Sequence, residues 1–152
     1  MISITRTFKF EMAHYLPNHN GNCRFLHGHS YKLEVTVTPL LNNKLSERNV
    51  NDPQYGMVID FGNLNKIVQK KIIDVFDHSL TVWDKYVDDD FKKGLDQFND
   101  RINYIDYRPT AELMCIDFYN RIDEELRNDL IKIKKIKLYE TDNSYAEYES
   151  EI

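Results

Sequence analysis

The clearest pattern along this chain is the alternation of apolar and polar residues near both of its ends. Successive side chains of a β-strand point to opposite faces of a sheet, so such alternation indicates strands with one buried face. The apolar residues Phe8, Phe10 and Met12, for instance, share one parity. On this basis four strands are predicted, over residues 2–13, 29–38, 133–139 and 145–148.

Between these segments, apolar residues recur at helical spacing in two places. The first stripe predicts a helix over residues 63–76, with Asp60 or Asn63 as its N-cap. The second stripe predicts a helix over residues 111–128, with Thr110 as its N-cap. The predicted order of elements is therefore strand, strand, helix, helix, strand, strand.

This ββααββ order predicts an α+β fold, in which a four-stranded antiparallel sheet carries both helices on one face. A chain of 152 residues fits one domain, which is taken as residues 1–152. Two polar segments, at about 40–55 and 84–108, are predicted as surface insertions, the second with one short helix. Because a small open sheet has two unpaired edges, we expect these edges to pair in an oligomer.

The composition is that of an ordinary globular protein, with 41% hydrophobic and 30% charged residues. A net charge of −5 argues against a general nucleic-acid surface. The apolar stretches are too short to span a bilayer, so no membrane partner is expected. Two cysteines without a recognisable secretory leader favour a reducing, cytoplasmic setting.

Histidines lie where the first two predicted strands meet. His27 and His29 are two residues apart and therefore share one face of a strand, whereas a helix would separate them by about 200°. His14 continues the apolar parity of the first strand, and antiparallel pairing would bring it close to the other two. Three imidazoles with one open position are typical of a catalytic zinc site. Any one of these histidines alone would be interpreted as an ordinary residue at a strand end.

The two cysteines have different interpretations. Cys23 lies four residues before His27, in a loop rich in Asn and Gly. It could be a fourth zinc ligand that closes a structural site, a thiolate base or nucleophile beside the metal, or a loop cysteine without a role. Cys115 follows the apolar stripe of the second helix and is expected in the core.

Two further segments carry groups that could take part in chemistry. His78, at the end of the first helix, could share a proton with Cys23 or could simply favour the helix dipole. Its neighbour Asp77 need not form a dyad with it, since adjacent residues rarely bond side chain to side chain. Glu140 continues the apolar parity of its strand, so its carboxylate could bind N–H groups of a substrate, unless the strand ends one residue earlier. Glu112 is explained by the dipole of the second helix.

Taken together, these segments resemble the family of 6-pyruvoyltetrahydropterin synthase and 6-carboxytetrahydropterin synthase. The matching motifs run in order through nearly the whole chain, and their joint occurrence is specific. They are Phe10-Glu11-Met12-Ala13-His14, Cys23-Arg24-Phe25-Leu26-His27-Gly28-His29-Ser30-Tyr31, Gly56-Met57-Val58-Ile59-Asp60-Phe61, Asp77-His78, Pro109-Thr110-Ala111-Glu112 and Tyr139-Glu140-Thr141.

The resemblance implies a T-fold (tunnelling fold) whose subunits pair their sheet edges in a ring, commonly a homohexamer with sites at the subunit interfaces. It also implies site residues with three roles. By this resemblance the zinc ligands are His14, His27 and His29, proton transfer belongs to Cys23, Asp77 and His78, and pterin binding belongs to Glu140, Thr110 and Glu112.

The resemblance further implies a carbon–carbon lyase that uses zinc and acts on the small molecule 7,8-dihydroneopterin triphosphate. The segment Leu26-His27-Gly28-His29-Ser30 is more similar to the branch that makes 6-carboxytetrahydropterin, acetaldehyde and triphosphate on the route to queuosine. The alternative branch eliminates triphosphate and makes 6-pyruvoyltetrahydropterin. From the residues alone, a non-catalytic zinc module built from Cys23 and three histidines also stays open.

Overall fold

A computed structural model describes residues 2–41, 44–98, 100–126 and 130–151. Within these ranges the strands are β1 (Ile4–His14), β2 (His27–Pro39), β3 (Ser79–Trp83), β4 (Ile102–Ile105), β5 (Ile131–Thr141) and β6 (Ser144–Glu149). They form one sheet in the order β4-β3-β1-β2-β5-β6. Strand β1 pairs antiparallel with β2, β2 with β5, and β5 with β6, whereas β3 runs parallel to both β1 and β4.

The α+β class is confirmed, but the predicted four-stranded antiparallel sheet is wrong in the number and direction of its strands. The two strands that the pattern did not reveal are β3 and β4. Strand β3 has five residues, and its first four are all buried, so it shows no alternation. Strand β4 has four residues and lies within the segment 84–108 that was predicted as a surface insertion. Short apolar runs of this kind cannot be assigned from periodicity alone.

The helices follow the same order along the chain. They are α1 (Lys44–Glu47), α2 (Phe61–Val68), a π-helical segment (Gln69–Ile73), α3 (Asp74–Phe76), α4 (Asp89–Phe98) and α5 (Ala111–Leu126). Segments α2 to α3 match the first predicted helix, and α5 matches the second. The predicted end of that second helix, at residue 128, lies outside the described residues.

Both predicted helix starts are confirmed by their caps. The Asp60 carboxylate accepts the N–H groups of Gly62 and Asn63, at 2.8 and 3.2 Å. The Thr110 hydroxyl oxygen accepts the N–H of Leu113 at 3.3 Å. Each cap satisfies backbone donors that the first turn of a helix leaves without partners.

The main core lies between the sheet and the helices α2 and α5, with the π-helical segment between them. From β1 and β2 it receives alternate side chains, such as Phe8, Phe10 and Leu33, as the parity predicted. Cys115 is also buried there, which confirms its predicted place. Burying each large aliphatic or aromatic side chain contributes about 1.5–3 kcal/mol to folding, so this layer fixes where the ends of the strands lie.

A second, smaller core attaches the segment after β3 to the sheet. Leu80, Val82 and Val87 are buried there, and partly buried residues of β1, α4 and β4 pack against them. The segment 84–108 is therefore joined to the sheet by an apolar contact. None of the helices in the described ranges is long and apolar enough to cross a membrane.

Candidate metal and active site

The pairing of β1 with β2 brings the three predicted histidines together. His14 is the register partner of His27, and Met12 is the partner of His29. Because residues two apart share a face, all three imidazoles point to the helix-covered side of the sheet. His14 is fully buried, and the other two are half-buried. The predicted convergence of the histidines is confirmed.

Hydrogen bonds on the far side of two rings orient them toward a common point. The Nδ1–H of His14 donates to the carbonyl of Pro109 at 2.8 Å, and the Nδ1–H of His27 donates to the carbonyl of Phe25 at 2.6 Å. A proton held at Nδ1 leaves the Nε2 lone pair available, which is how metal-binding histidines are usually oriented. The two Nε2 atoms lie 3.2 Å apart.

Glu140 completes this group from strand β5. Its Oε1 atom lies 3.3 Å from Nε2 of His14 and 3.1 Å from Nε2 of His29. Strand β5 continues to Thr141, so Glu140 keeps the parity of the buried Leu138 and faces inward. One ligand atom from each of the four residues lies within 4.8 Å of the others, and together they could hold a metal ion.

The donor set suits a tetrahedral cation such as zinc. Zinc–nitrogen bonds of about 2.0–2.1 Å at tetrahedral angles place two nitrogens about 3.3 Å apart, close to the separation of the His14 and His27 Nε2 atoms. The Nε2 atom of His29 is buried and makes no hydrogen bond among the described residues, although the Glu140 carboxylate lies 3.1 Å from it. Such an atom is costly unless it binds something, and a cation among these lone pairs would satisfy it.

The electrostatics of the group favour the forms that bind a metal. Burial lowers the pKa of His29, and the neighbouring imidazoles of His14 and His27 act in the same direction, although the Glu140 carboxylate opposes them. His29 is therefore harder to protonate than an ordinary histidine. The pKa of Glu140 is lowered, first by its contact with His14, against the opposing effect of burial. Neutral imidazoles and an ionised carboxylate are the forms that coordinate a cation.

Cys23 lies near this group but is not one of the four residues that could hold the ion. It belongs to a short 3-10 turn, Asn22–Arg24, and its carbonyl accepts the N–H of Leu16 at 2.8 Å. The pKa of Tyr31 is raised above its usual range by burial, then by the charges of Glu140 and Cys23. The hydroxyl of Tyr31 is 3.4 Å from both ring nitrogens of His14. Tyr31 is therefore in contact with the metal group, which is the name used below for His14, His27, His29 and Glu140, and it is near enough to Cys23 for the charge of that thiol to act on it.

Asp77 and His78 contact each other side chain to side chain and form a dyad, which the sequence alone did not predict. The Oδ2 atom of Asp77 lies 2.9 Å from Nδ1 of His78, and its Oδ1 atom accepts the N–H of Glu11 at 2.9 Å. The His78 side chain is 74% exposed. In the part of the chain that the structure describes, no hydrogen bond or ion pair joins His78 to Cys23.

An open pocket of about 440 Å³ lies beside the dyad, at the ends of β1 and β2 that carry the histidines. His29 and His78 both line it, with Leu80 at its base and the exposed side chains of Leu26 and Phe98 at its rim. The pocket is wide enough for a small organic ligand. Its lining also includes the polar residues Glu11, Ser30 and Ser79, so polar contacts to a ligand would not be confined to the two histidines.

The remaining predicted site residues lie on the other side of Glu140. Glu112 and Glu140 both line a smaller pocket of about 130 Å³, next to Ser144 and Tyr145. Thr110 caps α5 one turn away and is not among the residues that line this pocket. Glu112 and Glu140 thus border one small space from different elements, and carboxylate oxygens are acceptors for N–H groups.

Sequence reasoning missed the groups that hold the site residues in place. The carbonyl of Pro109, which orients His14, is a backbone atom in the loop before α5. Glu11 holds the dyad through its backbone, and its carboxylate accepts the Ser30 hydroxyl at 2.7 Å. Backbone contacts between distant segments leave no periodic signal, so only the position of Glu11 beside the histidine motif could have drawn attention to it.

Comparison with known proteins gives full-length matches. A family model described as 6-pyruvoyl tetrahydropterin synthase matches residues 3–151. A 6-carboxy-5,6,7,8-tetrahydropterin synthase from Haemophilus influenzae is 33% identical over 151 residues, covering 98% of this chain and 99% of the relative. The protein of the same name from Rickettsia typhi is 35% identical over 149 residues, covering 97% and 99%.

Solved structures agree on the fold. An uncharacterised protein from Wolinella succinogenes superposes with a TM-score of 0.72 at 21% identity, covering 99% of this chain and 98% of that one. The 6-pyruvoyl tetrahydropterin synthase of Caenorhabditis elegans superposes with a TM-score of 0.63 at 23% identity, covering 98% and 95%. With the matched family model and the curated relatives, these likenesses place the chain in the 6-pyruvoyl tetrahydropterin synthase family of enzymes.

Proposed function

We propose that this chain is a zinc-dependent carbon–carbon lyase of queuosine biosynthesis. It converts 7,8-dihydroneopterin triphosphate and water to 6-carboxy-5,6,7,8-tetrahydropterin, acetaldehyde and triphosphate. The observation that carries the proposal is the convergence of three imidazoles and a carboxylate in one group. It occurs in a chain whose relatives at 33–35% identity are named for that product. The structures named for the pyruvoyl product are less similar, for example at 23% identity.

The zinc ion belongs to His14, His27 and His29 in this proposal. When bound there, zinc supplies a Lewis acid that lowers the pKa of hydroxyl groups on the substrate side chain. The Pro109 and Phe25 carbonyls keep two of the rings in the required tautomer. These contacts support a site formed before substrate arrives, which reduces the entropic cost of binding.

The carboxylates of Glu112 and Glu140 serve the pterin ring. A pterin presents adjacent ring and amino N–H donors, and carboxylate oxygens are strong acceptors for such pairs. The small pocket that both residues line supports this assignment. Because Glu140 also lies 3.1 Å from Nε2 of His29, it would bind the substrate close to the metal and fix the distance between ring and side chain.

Cys23 acts as the base that accepts a proton from the substrate side chain, and His78 with Asp77 relays protons. Asp77 supports His78 in this role, because its carboxylate fixes a proton at Nδ1 and leaves Nε2 for exchange. The high exposure of His78 and the lack of a bond to Cys23 among the described residues support an arrangement between subunits. We therefore propose a cytoplasmic homohexamer in which His78 faces Cys23 of a neighbouring copy.

Mass spectrometry of the products tests the function. Zinc-loaded protein and 7,8-dihydroneopterin triphosphate should yield 6-carboxytetrahydropterin and acetaldehyde in equal amounts, and Cys23→Ala should retain zinc but lose turnover. Formation of 6-pyruvoyltetrahydropterin alone would assign the chain to the other branch. No product from the wild type, together with loss of zinc from Cys23→Ala, would instead indicate a structural zinc module.

A further inference from the structure

The turn that carries the Asp77–His78 dyad has a conformation that its own sequence does not favour. Helix α3 ends at Phe76, and His78 follows with a φ angle of 57°. This left-handed conformation after a helix is usually occupied by glycine, because a side chain is strained there. Such strain persists where the surrounding structure fixes the backbone, and it is common at functional sites.

The turn does not close with the usual backbone bonds of a helix end. In the common C-terminal motifs, the N–H of the left-handed residue bonds back to a carbonyl of the last helical turn. Here the N–H of His78 donates to the carbonyl of Glu11 in β1, at 2.6 Å. The last carbonyls of the helix therefore require other donors.

Arg101 supplies the first of these donors. It lies directly before β4, in the segment 84–108, and its own carbonyl accepts the N–H of Leu80 at 3.0 Å. Its Nη2 atom donates to the carbonyl of Asp77 at 2.7 Å and to that of Asp74 at 3.1 Å. One guanidinium thus bridges the first residue of α3 and the first residue of the dyad.

Asn103, which lies in β4 two residues after Arg101, supplies the next donor. Its Nδ2 atom donates to the carbonyl of Val75 at 3.0 Å and to the hydroxyl oxygen of Ser79 at 3.0 Å. The Ser79 hydroxyl in turn donates to the carbonyl of Phe76 at 2.7 Å. All of the carbonyls from residue 74 to residue 77 therefore accept a hydrogen bond from Arg101, Asn103 or Ser79.

The charge of Arg101 also acts on the dyad. Burial by itself would raise the pKa of Asp77, but the Glu11 N–H, the His78 ring and the Arg101 guanidinium together hold it below the usual value. Asp77 therefore stays ionised and continues to hold the His78 ring. The same arginine fixes the backbone of the turn and supports the charge of its carboxylate.

We infer that Arg101 and Asn103 are positioning residues for the Asp77–His78 dyad. The segment 84–108 thus contributes to the active site by delivering two side chains that hold the His78 backbone in its strained conformation. The inference rests on the proposed function for the role of His78 in turnover, whereas the fixed geometry of the turn can be tested without any activity.

Steady-state kinetics test the contribution to turnover. Arg101→Met and Asn103→Leu remove the donors with little change in volume, and Arg101→Lys keeps the charge and one donor. Since a misplaced catalytic group costs up to about 100-fold in rate, we expect kcat to fall about 10–100-fold in the first two variants, with KM within about twofold. Arg101→Lys should recover part of kcat. Lys93→Met, an exposed position of the same segment, is the matched control and should leave kcat unchanged.

Nitrogen NMR of histidine-labelled protein tests the geometry alone. In the wild type, His78 should show one ring tautomer with the proton at Nδ1, fixed by Asp77. Arg101→Met should shift this signal toward the mixture seen in Asp77→Asn, while the signals of His14, His27 and His29 stay unchanged. Asn103→Leu provides the same readout if Arg101→Met does not fold, and Arg101→Lys should leave the His78 signal closer to that of the wild type.

The two measurements separate the possible failures. The inference is overturned if Arg101→Met and Asn103→Leu keep kcat within twofold of the wild type while His78→Ala is inactive. If the wild type shows no turnover, the proposed function has failed, and the NMR signal of His78 alone decides. An unchanged His78 signal in folded Arg101→Met would then overturn the inference as well.

Discussion

The two histidine-bearing regions of this molecule are built in opposite ways. The metal group lies inside the chain, where His14 is fully buried and three strands contribute one face each. The Asp77–His78 turn lies outside, with 74% of the His78 side chain exposed. Both regions are nevertheless anchored to β1, the first through His14 and the second through the backbone of Glu11.

The contrast shows what each region needs from its surroundings. A metal site needs neutral donors shielded from water, and the buried face of a sheet supplies them. In the proposed function His78 relays protons, and such a ring must reach a reacting group, so a turn with an exposed tip suits that role if its backbone is held firmly. The four residues that could hold a metal all lie within one chain, whereas the His78 ring is largely exposed.

The largest expected effect is at the metal group. Loss of an outer partner of a metal ligand alone costs about 10–100-fold in affinity, so removing a ligand in His29→Ala should weaken zinc binding by more than about 100-fold and abolish turnover. Metal analysis after dialysis measures this. The matched control is His19→Ala, which removes an exposed histidine outside the group. Full zinc content in His29→Ala would contradict the assignment of metal binding to the first region.

His78→Ala should separate metal binding from turnover. Loss of general acid–base catalysis typically costs about 10²–10⁴-fold, so we expect kcat to fall within that range. Zinc content and melting temperature should stay close to those of the wild type, because the ring lies on the surface. If zinc is lost in parallel with activity, the dyad supports the metal group and the two regions are not independent.

These two regions also show how far the sequence could be followed. The convergence of the histidines was predictable because a period of two and one antiparallel pairing are enough to place His14 beside His27. Parity placed Glu140 on the inner face as well, but parity says nothing of distance along the strand. Its contact with His29 depends on the register between β2 and β5, which shifts after Thr36.

The Asp77–His78 turn was much less predictable from the sequence. The dyad contact occurs with His78 in a left-handed conformation, and no residue preference favours that conformation at a histidine over glycine. Arg101 and Asn103 lie in a polar segment that was interpreted as a surface insertion, because the short strand β4 has too few residues for a periodic signal. Their contacts reach 22–28 positions back along the chain. Such contacts depend on the parallel pairing of β3 with β4.

A smaller effect is expected when the reactivity of the buried Cys115 is compared with that of Cys23. Cys115 lies in the core, and burial raises its pKa to about 12. Because alkylation requires the thiolate, Cys115 in the folded protein should react with iodoacetamide at pH 8 at least about tenfold more slowly than Cys23. Peptide mass spectrometry over time measures both. Equal rates would mean that the core opens readily or that Cys23 is shielded, for example by a neighbouring copy.

The smallest expected effect is the pH dependence of the stability that the Asp77–His78 turn contributes. The pKa of Asp77 is lower in the folded state than in the unfolded chain. Its ionised carboxylate therefore stabilises the fold at pH values above the pKa of the unfolded chain, and this contribution is lost as the pH falls. The difference in unfolding free energy between wild type and Asp77→Asn should therefore be constant from pH 7 to about 5 and shrink below about pH 4. Denaturant titrations at several pH values measure this. A difference that grows toward low pH would contradict the assigned direction.

The central claim is that Cys23 of one copy and His78 of a neighbouring copy form one active site. Complementation between inactive variants tests this claim most directly. Cys23→Ala and His78→Ala, co-expressed with different tags and purified as mixed oligomers, should each be inactive alone. If Cys23 of one copy works with His78 of its neighbour, random assembly restores about a quarter of the wild-type sites, since half the copies supply each intact partner. We predict this recovery in the doubly tagged, zinc-loaded fraction. Mixed oligomers that hold zinc but show no recovered turnover would contradict it and place both residues of each site in one chain.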